Sequence, residues 1–300
     1  MGYFYIWSGE VPGLVQSLDP KSLPAYIYWN TGPIAGAGNW ERVQEISCFE
    51  RQSVWWRFQE GHTGPDIIIC GPCSSVLDIA WRLSAAHCMK KWDSVISVRQ
   101  WAGRGQLKRN WSSPVGNIYA ALNLLPVENF APTCLPVLIG LCLIRAFSDL
   151  GVSLKLKWPN DLLLSRQKVG GVLVEEKKEQ CFAGIGINLN RIPEISEQEI
   201  TSGLAVQKLL NSLCTDNPAG YWQRLVHRVF LWYEVLVANE SMQNIASQVE
   251  QVMEFLGEEV RVTPGSGDPY NAIVLGVDQQ LGLRIQKQGK QEVLYNAGLC

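Results

Sequence analysis

The chain has 300 residues, 47% hydrophobic and 18% charged, with a formal net charge of −2 at pH 7. That length suits one sizeable core plus a smaller second unit, and the composition is that of a globular chain, which excludes disorder. A charge so near zero excludes a general attraction to nucleic acid or an anionic membrane, so any basic patch has to be local.

From the N-terminus, MGYFYIWSGE lacks a positively charged leader and carries Glu10, so no signal peptide is expected. Residues 1–65 are rich in Trp, Tyr, Gly and Pro; AYIYW (25–29) and SVWWRF (53–58) read as short strands between turns at 31–33 and 36–38. No two amphipathic helices joined by a tight turn occur there, so a DNA-reading helix-turn-helix is not expected. DIIIC (66–70) reads as a buried strand. Cys70 and Cys73 have CxxC spacing, but no second pair or histidine cluster joins them among nine cysteines and three histidines. They read as two buried thiols rather than a zinc site, and an odd cysteine count fits a reducing cytosol.

Ser75 with Asp78 three residues on resembles a capping box, and Val76, Ile79, Ala80, Leu83 and Ala86 follow helical spacing. Ser74 and Ser75 have two readings, a helix cap or hydroxyls that meet a polar ligand. SVISVRQ (94–100) reads as a strand entering the stretch VRQWAGRGQLKRNW (98–111), which packs two glycines, four cations and two tryptophans together. Glycine allows close backbone approach, and arginine matches carboxylate and phosphate oxygens, so the loop suits an anionic ligand. A merely solvated loop would share that composition.

A turn at 112–116 and a strand at 117–125 follow, then a helix at about 136–150 closed by Gly151. The apolar run 135–144 is about half the length a bilayer needs, so it reads as a buried helix. Residues 152–157 alternate as a strand that Trp158–Pro159–Asn160–Asp161 breaks. Residues 168–176 and 181–190 read as a hairpin joined by the charged turn 177–180. Helices are expected near 202–211, 219–239 and 241–255; the second has Leu225, Val229, Trp232, Tyr233 and Leu236 on one face. Strands at 259–263, 270–277, 281–286 and 292–295 then form a small all-β unit.

Three stretches stand out together: QWAGRGQLKRNW, KWPNDLLLSRQKVGGVLVE and GIGINLN. With Ser113–Pro114, Gly116–Asn117–Ile118–Tyr119 and Lys157–Asp161, they resemble the biotin protein ligases, over roughly residues 66–300. The resemblance implies an α+β fold in which helices flank a mixed central sheet and a small SH3-like β-barrel follows. Residues 66–254 would be the catalytic domain and 255–300 the SH3-like domain, with 1–65 an extension packed on the former. It implies a soluble cytoplasmic ligase that acts as a monomer or a homodimer, with no role for DNA or membrane. Biotin and ATP would yield biotinyl-5′-AMP, and the biotin would pass to a lysine of a biotin carboxyl carrier domain. Arg104, Lys168 and Asp161 are the implied catalytic residues, with Mg²⁺ assisting at the phosphates and no side chain assigned as a metal ligand. For biotin the resemblance points to Ser74, Ser75, Gln100, Gly103, Arg104, Gly105 and Lys168. For the adenylate it points to Arg104, Gln106, Arg109, Trp111, Asn160, Lys168 and Asn188. The chain departs from the family pattern at Val76, Gln106 and Lys108, which bears on adenylate retention and acyl specificity. Two other readings are a lipoate or other acyl-acid ligase on the same fold, and a non-catalytic biotin-binding protein.

Overall fold

The computed structural model describes residues 1–48, 51–106, 109–124, 132–177, 180–191, 217–264 and 267–299. The chain divides into two compact units, one of Met1–Pro126 with Leu173–His227, the other of Val127–Val172 with Arg228–Cys300.

In the first unit, strands β1 (Phe4–Trp7), β2 (Trp40–Cys48), β3 (Arg51–Phe58), β4 (Ile67–Cys70), β5 (Ser94–Ser97), β6 (Ile118–Leu124) and β10 (Gln180–Ile187) lie in the order β2-β3-β1-β4-β5-β6-β10. β1, β4 and β5 run parallel to one another; the other pairings are antiparallel. The sheet is therefore mixed, as expected. β4, β5 and β6 are buried along their whole length, which explains their unbroken apolar runs. Helix α1 (Val76–Ala85) covers β5, β6 and β10 with Val76, Leu77, Ile79, Ala80 and Leu83. Gly184 permits that contact, because a Cβ there would stand 2.8 Å from a Leu77 methyl.

The N-terminal segment departs from its sequence reading. Residues 25–29 turn rather than extend: Pro24 sits in a 3-10 turn (Leu23–Ala25), and Tyr28 has φ 67. The turn tucks Leu23 and Trp29 almost wholly out of solvent. β1 and β2 were not foreseen: β1 is only four residues long, and β2 carries Glu41, Arg42 and Glu45 among its apolar residues.

In the second unit, helix α2 (Leu135–Ser148) is buried on nearly every face, and Gly151 follows it at φ 80, as expected of a C-terminal glycine. β7 (Lys155–Lys157), β8 (Asp161–Leu164) and β9 (Gln167–Lys177) form an antiparallel meander; β9 continues past Val172 into the first unit, where it borders β10. Its turn residues Ser165 and Arg166 both have positive φ, as a two-residue hairpin requires. Helix α3 (Pro218–Asn239) ends in this unit, and α4 (Met242–Val252) follows, started by Ser241, whose Oγ accepts from Asn244 N at 3.2 Å. The C-terminal strands β11 (Glu259–Pro264), β12 (Tyr270–Val277), β13 (Leu283–Lys287), β14 (Lys290–Leu294) and β15 (Ala297–Leu299) form an antiparallel sheet ordered β14-β13-β12-β11-β15. The expected helix at 202–211 lies outside the described residues.

Candidate functional site

The start of α1 and the glycine-rich loop are laced together by main-chain bonds. Cys73 N donates to Arg99 O at 3.1 Å, Trp101 N to Cys73 O at 3.0 Å and Ala102 N to Ser74 O at 2.9 Å. Gln100 completes the seam: its Oε1 accepts from Val76 N at 2.8 Å, and its Nε2 donates to Ser113 Oγ at 2.9 Å. The expected capping box is thus replaced. Ser75 makes no side-chain cap bond, because the amide of Gln100 has taken an N–H of the first turn. Ser74 Oγ instead donates to Asp78 Oδ2 at 2.9 Å. Gly103 is required where it stands, since a Cβ would come within 2.5 Å of Trp111 O. Beyond it the loop folds back, with Gly105 N donating to Arg109 O at 2.8 Å and Arg109 N to Gln106 O at 3.1 Å. Gln106 is half-buried and Arg109 exposed; Lys108 lies outside the described residues.

Arg104 is held in a carboxylate fork. Its Nη1 donates to Asp78 Oδ1 at 2.7 Å and its Nη2 to Glu175 Oε1 at 3.0 Å. Trp81 Nε1 fixes the other oxygen of Glu175 at 2.8 Å. Partial burial opposes the charge on Arg104, but Asp78 and Glu175 outweigh it and raise the guanidinium above its ordinary range. Two carboxylates thus share one guanidinium.

Further along the chain, Asn117 is fully buried and organises the loop after β10. Its Oδ1 accepts from the backbone N–H groups of Leu189, Asn190 and Arg191 at 3.0, 3.0 and 2.9 Å, and its Nδ2 donates to Arg191 O at 2.8 Å. Asn188, at the mouth of that loop, is 4% exposed, and its Oδ1 meets no donor among the described residues. The Trp111 ring lies against Gly186, where a Cβ would approach it to 2.6 Å.

The second unit presents a cluster of its own. Asp161 Oδ1 stands 2.6 Å from Lys168 Nζ, with Lys157 Nζ 4.0 Å from the other oxygen. One carboxylate thus faces two ammonium groups. Asn160 serves the strands themselves: its Nδ2 donates to Val172 O at 3.0 Å, and its carbonyl oxygen accepts from Val172 N at 2.9 Å.

The first unit therefore gathers Ser74, Ser75, Gln100, Gly103, Arg104 and Trp111, and the second holds Asn160, Asp161 and Lys168. Sequence reasoning missed Glu175 as a partner of Arg104 and Asn117 as the organiser of the 188–191 loop. The spacing of Asp78 from Ser75 signalled a cap, but its carboxylate instead accepts from Ser74 and from Arg104, 26 positions away.

Residues 83–190 match the Biotin/lipoate A/B protein ligase family model. The bifunctional ligase/repressor BirA of Escherichia coli strain K12 is 28% identical over 210 residues, 67% of this chain and 64% of the relative. The chain thus spans less than two thirds of that relative's length. A biotin–[acetyl-CoA-carboxylase] ligase of Paracoccus denitrificans is 35% identical over 117 residues, 35% of this chain and 48% of the relative. The biotin protein ligase of Aquifex aeolicus, solved with biotin and ATP, superposes with a TM-score of 0.66 over 78% of this chain and 98% of that one, at 24% identity. At that identity the likeness is one of fold.

Proposed function

We propose that the chain is an ATP-dependent biotin protein ligase, a reading supported by the match of residues 83–190 to the Biotin/lipoate A/B protein ligase family model. A carboxylate oxygen of biotin attacks the α-phosphorus of ATP and pyrophosphate leaves. A lysine ε-amine of a carboxyl carrier domain then attacks the carbonyl carbon of the mixed anhydride, and AMP leaves. We assign this chemistry to residues 66–254, in the cytoplasm.

The observation that supports this reading most directly is the Gln100 clamp. It binds the Ser74–Ser75 helix start and the arginine-bearing loop into one rigid frame. The acid sits at Ser74, Ser75 and Gln100, with the glycines at 103 and 105 allowing main-chain approach. Arg104 and Lys168 neutralise carboxylate and phosphate, which otherwise repel each other as the bond forms. Asp161 sets the position of Lys168 through their ion pair. Gln106, Arg109 and Trp111 cover the adenylate, which slows its hydrolysis. Asn188 supplies a buried acceptor for a nucleotide N–H or O–H, and Asn160 keeps β8 and β9 in register beside Asp161. Mg²⁺ would assist at the phosphates as part of its complex with ATP.

The family description covers lipoate as well as biotin, so the acid is what the test has to decide. Pyrophosphate release from Mg–ATP is measured with biotin, lipoate and octanoate in parallel. Biotin alone is expected to support it, and Arg104→Ala or Lys168→Ala should slow it by about 10²-fold or more. Release with lipoate and not biotin moves the chain to the other branch. No release with any acid, together with retained biotin binding, leaves a binding protein.

A further inference from the structure

Residues 11–16 form a tight turn. Val11 O accepts from both Leu14 N and Val15 N at 3.0 Å, and Gly13 takes φ 72 at the tip. From this turn the main chain reaches the loop that starts α1. Gln16 N donates to Pro72 O at 2.8 Å, Leu14 O accepts from Ser74 N at 2.7 Å, and Val15 bridges Cys73 in antiparallel register. The opposite edge of the same loop is bonded to Arg99, Trp101 and Ala102. Pro72–Ser74 is thus the middle strand of a three-stranded patch, with the N-terminal turn on one side and the glycine-rich loop on the other. The approach is closest at Gly71, where a Cβ would stand 2.2 Å from Gln16 O. Leu14 and Val15 are buried in one cluster with Trp7, Cys73, Val76 and Leu77.

We infer that residues 11–16 are a positioning element for the acid-binding residues: they fix the main chain of Ser74, and with it the hydroxyls of Ser74 and Ser75, from the side opposite the glycine-rich loop. The inference rests on the reading of those serines given above. A strand bonded along both edges cannot shift without breaking bonds on each. Among the described residues no bond runs directly from this turn to Gly103, Gly186 or Asn117, which support Trp111 and the 188–191 loop, so the effect on biotin should exceed that on the nucleotide.

Val15→Pro removes the N–H that closes the turn on Val11 and unseats the Leu14 carbonyl. In pyrophosphate release the KM for biotin should rise about tenfold, while kcat and the KM for ATP change less than about twofold. Gly71→Ala, which pushes Gln16 away from the other side, should reproduce the split if the proline variant does not fold. Amide exchange at Ser74, protected in the native chain, should accelerate in either variant. An unchanged biotin KM, or a parallel rise in both KM values, overturns the inference. Should the native chain form no adenylate, the ligase reading fails; unaltered Ser74 exchange in a folded variant then refutes the splint independently.

Discussion

At Asn117 one side chain closes four hydrogen bonds to a loop more than seventy positions away, with no access to water. Truncating it strands three N–H groups, of which that of Leu189 is buried and costs about 1–3 kcal/mol without an acceptor. Asn117→Ala should therefore lower stability to urea by about 1–3 kcal/mol and raise the KM for ATP, whereas Asn117→Asp retains the three accepted bonds and should lose less. Equal effects of the two substitutions would show that the side chain only fills space. Arg104 behaves differently, since its partners are half-exposed and contribute little to stability. Glu175→Gln should leave the melting temperature nearly unchanged, yet lower the KM for Mg–ATP by weakening the negative charge that phosphate meets beside Arg104. The types of these residues were legible in the sequence and their partners were not. Arg104 was legible from its setting between glycines; Glu175 was not, being 71 positions distant on an apparently ordinary strand.

Among the elements, β10 shows why a Gly-Ile-Gly sequence is needed inside a strand. Gly184 admits the Leu77 side chain of α1, and Gly186 admits the ring of Trp111. Gly186→Ala should displace that indole, read as a change in tryptophan fluorescence with loss of adenylate formation; Gly186→Ala with both intact would refute the contact. The β8–β9 hairpin is governed by Arg166 at its turn. That residue pairs with Glu254 at 3.0 Å and with Glu258, and its guanidinium lies 5.3 Å from the centre of the Phe255 ring. The hairpin also bears Asp161 and Lys168, so Arg166→Ala should reduce kcat for pyrophosphate release more than it alters either KM, with Arg166→Lys partly restoring it. Hairpin and helix boundaries were readable because period and turn chemistry act locally. β2 was not, because a strand with charged residues on both faces has no apolar alternation to betray it.

For the whole molecule, pH dependence follows from Asp93, which is 6% exposed and accepts from Lys90 N at 2.7 Å and Asp66 N at 3.1 Å. Burial pushes its carboxyl up to about 6, with the Asp66 charge adding to the rise and the backbone bonds opposing it. A carboxyl that binds its proton more tightly when folded adds stability below its unfolded pKa near 3.8, and that stability fades as pH rises through 6. The contribution is about 3 kcal/mol. Urea unfolding at pH 4.5 and 7.5 should show the native chain losing about 2 kcal/mol of stability relative to Asp93→Asn on going to the higher pH, the rest having been lost below pH 4.5. A gap that stays constant would remove Asp93 as its source. By itself the sequence determined the small C-terminal β unit and the glycine-rich loop, because both are written in local period and turn residues, and its motifs carried the family resemblance that implied the α+β class and the mixed sheet. Only the tertiary structure decided that Gln100 rather than Ser75 caps α1, that two carboxylates hold Arg104, and that the N-terminal segment enters the sheet. Those outcomes depend on which distant groups the packed chain brings within hydrogen-bonding distance, and residue order along a strand or helix carries no record of that.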